Sequence, residues 1–67
     1  MEYTKEELVE AKRQIDSTLH KLVKTIETFE SKENPSRYKS QITLAKRRVK
    51  AFSIANSFIE EAIKEFD

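Results

Sequence analysis

The 67-residue chain has no cysteine, no glycine and no tryptophan, one proline (Pro35) and one histidine (His20). Without cysteine there are no disulfides and no thiolate metal ligands. A lone histidine cannot furnish a structural zinc site within one chain. Without glycine the chain lacks the residue that makes tight turns with positive φ, which argues against a small β-sandwich or barrel. The same absence removes glycine-rich phosphate loops and the Gly-x-Ser-x-Gly nucleophile elbow. No stretch approaches the roughly 18 consecutive apolar residues of a membrane span, so no membrane partner is expected. Residues 1–7 are acidic and polar, with no basic stretch leading into an apolar one, so no secretion signal is expected. The chain opens on Met1 and is expected to be a complete small protein, cytoplasmic by default.

Charged residues make up 37% of the chain, interspersed with Ala, Leu and Ile. These are good helix formers. Thr4 followed by Glu7 predicts a capping box, with Tyr3 and Leu8 placed as a hydrophobic staple. Glu6 and Glu7 suit the positive end of a helix dipole. Leu8, Ile15, Leu19, Leu22, Ile26 and Phe29 then follow a heptad seam. Val9 and Val23 widen it on one side.

Lys32-Glu33-Asn34-Pro35 predicts the turn. Asn34 should be extended before proline and suits the N-cap, with Pro35 at the first helical position and Ser36 as the alternative cap. A second seam follows: Tyr38, Ile42, Ala45, Val49, Phe52, Asn56, Ile59, Ile63 and Phe66, at alternating spacings of four and three. The expected fold is all-α: an antiparallel two-helix hairpin, about residues 4–31 and 35–65, forming one domain over 1–67. Each helix should be roughly 40 to 45 Å long.

The second helix is apolar beyond its seam. Leu44, Ala51, Ala55, Phe58 and Ala62 form another stripe, with Ile54 beside it. One partner helix cannot cover both, and a large uncovered patch usually marks an interface. These six residues are the expected oligomer interface of a homodimeric four-helix bundle. A different protein partner is the alternative.

Asn56 is the one strongly polar member of the second seam, and folding about the turn places it level with Ala11 and Lys12. A buried Asn there can fix register at some cost in stability. Two other readings stay open: a solvated bundle edge, and a ligand-binding role.

Net charge is +1 but segregated. Residues 12–24 sum to +3 and 37–50 to +6, whereas 1–11 and 51–67 each sum to −3 and 25–36 to −2. The middle and turn-proximal shaft should be basic and the open end acidic. Arg37, Lys39, Lys46, Arg47 and Lys50 could contact nucleic-acid phosphates. No DNA-reading motif or aromatic platform accompanies them, so a solvated or protein-binding face is the stronger expectation.

His20 follows Asp16 by four residues, the spacing of an acid–histidine pair or a weak metal site. It lies outside the seam and is expected to be an ordinary surface histidine. No catalytic, cofactor-binding or metal-ligating residue is expected, and the chain is expected not to be an enzyme.

The stretch Ala11-Lys12-Arg13-Gln14-Ile15-Asp16-Ser17-Thr18-Leu19 resembles the first helix of the all-helical chorismate mutases. Those enzymes need further basic residues toward the end of that helix and a third helix. Here the corresponding position reads Thr28-Phe29-Glu30, and the pattern supplies two helices. Residues 37–48, from Arg37 to Arg48, with the Ala/Ile/Phe-rich helix after them, resemble small bacterial helical-hairpin proteins of uncharacterised function. That resemblance implies the same hairpin, a bacterial cytoplasmic setting and no particular activity. The function expected is a non-enzymatic helical self-assembly or protein-interaction module. A nucleic-acid-binding protein is the alternative.

Overall fold

In the computed structural model, which describes residues 2–66, the chain is a helical hairpin. Helix α1 spans Lys5–Glu30, a short 3-10 turn spans Pro35–Tyr38, and helix α2 spans Lys39–Lys64.

Helix α1 begins where its sequence asks it to. The Glu7 amide donates to Thr4 Oγ1 at 3.1 Å, and the Thr4 amide donates to Glu7 Oε1 at 2.9 Å. Both halves of the capping box are made, so two of the first-turn amides have partners. At the other end the Ser31 amide donates to the Glu27 carbonyl at 3.0 Å, and the Lys32 amide to the Phe29 carbonyl at 3.2 Å. The chain then reverses with no positive φ among the described residues. The turn thereby places none of these residues in the left-handed region, which is disfavoured for most side chains.

The second helix differs from the expected single α-helix from residue 35. Its first turn is 3-10, closed by the Arg37 amide donating to the Asn34 carbonyl at 3.1 Å. Asn34 is held out of the α region at φ −132°, ψ 77°, as proline demands of its predecessor. It precedes Pro35 at the helix start, but its side chain does not cap a backbone amide. Instead its Oδ1 accepts the Ser36 hydroxyl at 2.7 Å. The tight turn brings Tyr38 over Phe29, with ring centroids 4.9 Å apart and planes at 28°. That stack joins the two seams at the turn end.

The seams face each other. Leu8 and Ala45 are buried, and Ile15, Leu19, Leu22, Ile26, Phe29, Ile42, Val49, Phe52, Ile59 and Ile63 are half-buried. Phe66 is the exception, since it lies beyond the end of α2 and is exposed. Tyr3 is also exposed, though it shares a groove with Leu8, Ala11 and Ile59.

The hairpin is a rod of 48 × 15 × 14 Å with a radius of gyration of 15.2 Å. A compact chain of this length would have a radius near 11 Å. Its accessible surface is 5370 Å², where a compact monomer of this mass exposes about 4400 Å². No large side chain among the described residues is fully buried. Two helices have two facing stripes and no interior.

Candidate functional site

Two features depart from a plain hairpin: a polar layer across the seam and an apolar flank on α2.

The polar layer is built from Lys12 and Asp16 on α1 and Asn56 and Glu60 on α2. Asn56 is buried, 9% exposed, and its Nδ2 donates to Asp16 Oδ1 at 2.8 Å. The Lys12 ammonium bridges Asp16 Oδ2 at 3.1 Å and Glu60 Oε1 at 3.0 Å. Each helix contributes an i, i+4 pair, so both members of a pair share one face. Lys12 is held above the ordinary lysine range, first by Glu60 and then by Asp16. Asp16 is held below the ordinary carboxylate range, chiefly by Lys12 and secondarily by the Asn56 amide, against an opposing desolvation. Asn56 Oδ1 is buried with no hydrogen-bond partner among the described residues.

The level of Asn56 with Lys12 was expected, and burial replaces the solvated-edge reading. The part played by Asp16 and Glu60 was not expected. The signal was present as the spacings Lys12–Asp16 and Asn56–Glu60, both four. Asp16 stands four residues before His20, but its two oxygens accept from Asn56 and Lys12. His20 is exposed.

The apolar flank is where the second stripe was read. Phe58 is 73% exposed, Ile54 49% and Leu44 46%. Ala51 is exposed, while Ala55 and Ala62 are half-buried. The stripe lies on the side of α2 away from the bonds that tie the helices together. Among the described residues those bonds are Lys12–Glu60, Asn56–Asp16 and Lys46–Glu30, the last at 3.3 Å. Lys46 and Glu60 sit roughly 75° to one side of the α2 seam, and the stripe roughly 110° to the other, at 3.6 residues per turn. One flank of the hairpin is laced by charge; on the other, α2 presents the apolar stripe while α1 presents the exposed Glu7, Gln14, Thr18, Lys21 and Thr25.

The five basic residues singled out from the sequence are all exposed. Lys46 turns toward α1 to pair with Glu30. Arg37, Lys39, Arg47 and Lys50 have no ion-pair partner among the described residues. Arg37 lies in the 3-10 turn, and Lys39, Arg47 and Lys50 lie on α2.

No cluster of three or more His, Asp or Glu suited to a metal ion occurs among the described residues. Among the described residues no helix is long and apolar enough to cross a membrane. No protein-family model, curated protein or solved structure gives a significant match to the chain.

Proposed function

We propose that this protein is a non-enzymatic self-assembly module: a helical hairpin that completes its core by pairing with a second copy through the apolar flank of α2. The observation that carries this is the exposed Leu44–Ile54–Phe58 surface, on a rod with about 1000 Å² more surface than a compact monomer of its mass would show. Burying a side chain of this kind is worth about 1.5 to 3 kcal/mol when complete. Standard interfaces bury about 800 Å² per partner, which matches the excess. Pairing through the stripe would give α2 a second covered face, which one hairpin cannot supply.

Light scattering at tens of micromolar tests this. The expected mass is twice 7.9 kDa. Phe58→Glu should return the mass to that of one chain while circular dichroism stays helical. A wild-type chain that runs as a monomer at that concentration refutes self-association.

A second reading rests on Arg37, Lys39, Arg47 and Lys50, which form no ion pair among the described residues. A basic stripe of this kind can neutralise backbone phosphates of a nucleic acid. A low-salt gel shift that is lost when Lys46, Arg47 and Lys50 are changed to Glu would support it. No shift at low salt would dismiss it.

A further inference from the structure

Five residues stand at seven-residue intervals along α2 and its two ends: Arg37 in the 3-10 turn, Leu44, Ala51 and Phe58 in α2, and Glu65 just past its last residue. All five are exposed. The row has a cation at the turn end, an acid at the open end, a large apolar residue one heptad either side of the centre, and alanine at the centre. Turned end for end, it places opposite charge on charge and bulk on bulk. We propose that the second copy docks with its α2 antiparallel to the first, about a two-fold axis beside Ala51, so that the two turns lie at opposite ends of the bundle. This deepens the self-association proposed above and rests on it.

Three arguments select this arrangement over the alternative, in which both turns lie at the same end. The first is charge. The turn-proximal half of the hairpin, residues 17–50, sums to +6, and the open half, residues 1–16 with 51–67, sums to −5. Opposite turns lay each basic half along the partner's acidic half. Turns at the same end would set +6 beside +6 and −5 beside −5, and like charges in register oppose association.

The second is the shape of the row. About an axis at Ala51, Leu44 meets the partner's Phe58 on both sides of the centre, and Arg37 meets the partner's Glu65. At the centre two alanines face each other, which lets the helix axes approach to the 8–10 Å of close helix packing. A larger residue at position 51 would hold them apart where the two-fold axis makes each residue meet its own copy.

The third is area. The hairpin presents a face of 48 × 15 Å, roughly 700 Å² per copy, against the roughly 800 Å² per partner of a standard interface. A stagger of even two turns would remove a sizeable part of it, so the copies need nearly complete overlap. Ala51 lies close to the midpoint of Lys39–Lys64, and an axis there gives that overlap.

The absence of cysteine makes the test direct, because an introduced thiol is unique. A nitroxide label on Glu33→Cys, at the turn, reports the turn-to-turn distance by pulsed dipolar spectroscopy. Opposite turns should give a distance close to the 48 Å length of the hairpin. Turns at the same end would give roughly 10 to 20 Å, set by neighbouring helix axes, and would overturn the proposed orientation while leaving self-association standing. A labelled chain with the mass of one hairpin and no dipolar signal would overturn both. Independently, Ala51→Cys should form a disulfide-linked dimer on mild oxidation. Leu44→Cys and Phe58→Cys should each fail alone and link when mixed. Efficient self-linking of Leu44→Cys, with none from Ala51→Cys, would displace the axis and refute the register.

Discussion

Asn56 sits where an apolar residue would pack, and its burial has an energetic consequence. Its amide finds Asp16, but Oδ1 is buried with no partner among the described residues. A buried unsatisfied polar atom costs about 1–3 kcal/mol, and the bond made by the other end of the amide returns only part of that. We therefore expect Asn56→Leu to stabilise the fold by about 1 kcal/mol while loosening its register, as polar seam residues do in coiled coils. Urea denaturation checks the first part and a broadened mass distribution the second. A destabilised, still uniform Asn56→Leu would contradict it. The charges beside Asn56 set a pH dependence of definite sign. The Asp16 carboxyl is depressed, chiefly by Lys12, so its contribution is present above the ordinary aspartate range and lost as pH falls through its lowered value. The Lys12 ammonium is raised, chiefly by Glu60, so its contribution is present below the ordinary lysine range and lost as pH rises through its raised value. Both residues are partly open to solvent, which keeps these contributions small. In thermal melts against pH, Asp16→Asn should show a shallower acid-side loss than the wild type. Its alkaline loss should persist through Glu60. Identical acid limbs would show that Asp16 carries none of it.

The two helices differ in how locally they are specified. The start of α1 is written in four consecutive residues, and the capping box forms as those residues predict. Thr4→Ala should cost about 1 kcal/mol, the usual worth of such a cap, measured as a lowered denaturation midpoint. The start of α2 is written across the molecule. Asn34 and Pro35 define where it begins, but the first turn tightens to 3-10 and Tyr38 stacks on Phe29, nine residues back along the chain. Tyr38→Ala should cost about 1–2 kcal/mol by removing a half-buried aromatic contact, with loss of hydrogen-exchange protection at the start of α2. Tyr38→Phe should keep both. The same distinction explains which features the sequence revealed. Seams, hairpin and second stripe follow from spacing along one helix, so they could be read directly. The partners of Asn56 depend on how two helices align, and long side chains reach a full turn. Spacing along each helix therefore places Lys12 level with Asn56 but leaves Asp16 and Glu60 unassigned.

As a whole, the molecule is a rod tied by charge along one flank, with an apolar stripe on the α2 side of the other, and its two halves carry opposite charge. These two properties make separate claims on its stability. If folding is completed by pairing, the melting temperature must rise with protein concentration, because a partner that binds only the folded chain shifts the equilibrium by mass action. Phe58→Glu should abolish that rise while leaving the hairpin's own, lower transition. Charge then fixes the direction of the salt effect. With turns at opposite ends, basic half against acidic half, the attraction is screened as the Debye length shrinks from about 30 Å at 0.01 M to about 10 Å at 0.1 M. Raising sodium chloride over that range at fixed protein concentration should therefore lower the melting temperature of the wild type. It should weaken dimerisation severalfold in sedimentation equilibrium. A bundle with both turns at one end would respond oppositely, since salt would relieve its like-charge repulsion. The hairpin's internal ion pairs, Lys12–Glu60 and Lys46–Glu30, also weaken in salt, so Phe58→Glu supplies the baseline to subtract. A salt-dependent fall no larger in the wild type than in Phe58→Glu would mean that the charge segregation plays no part in assembly.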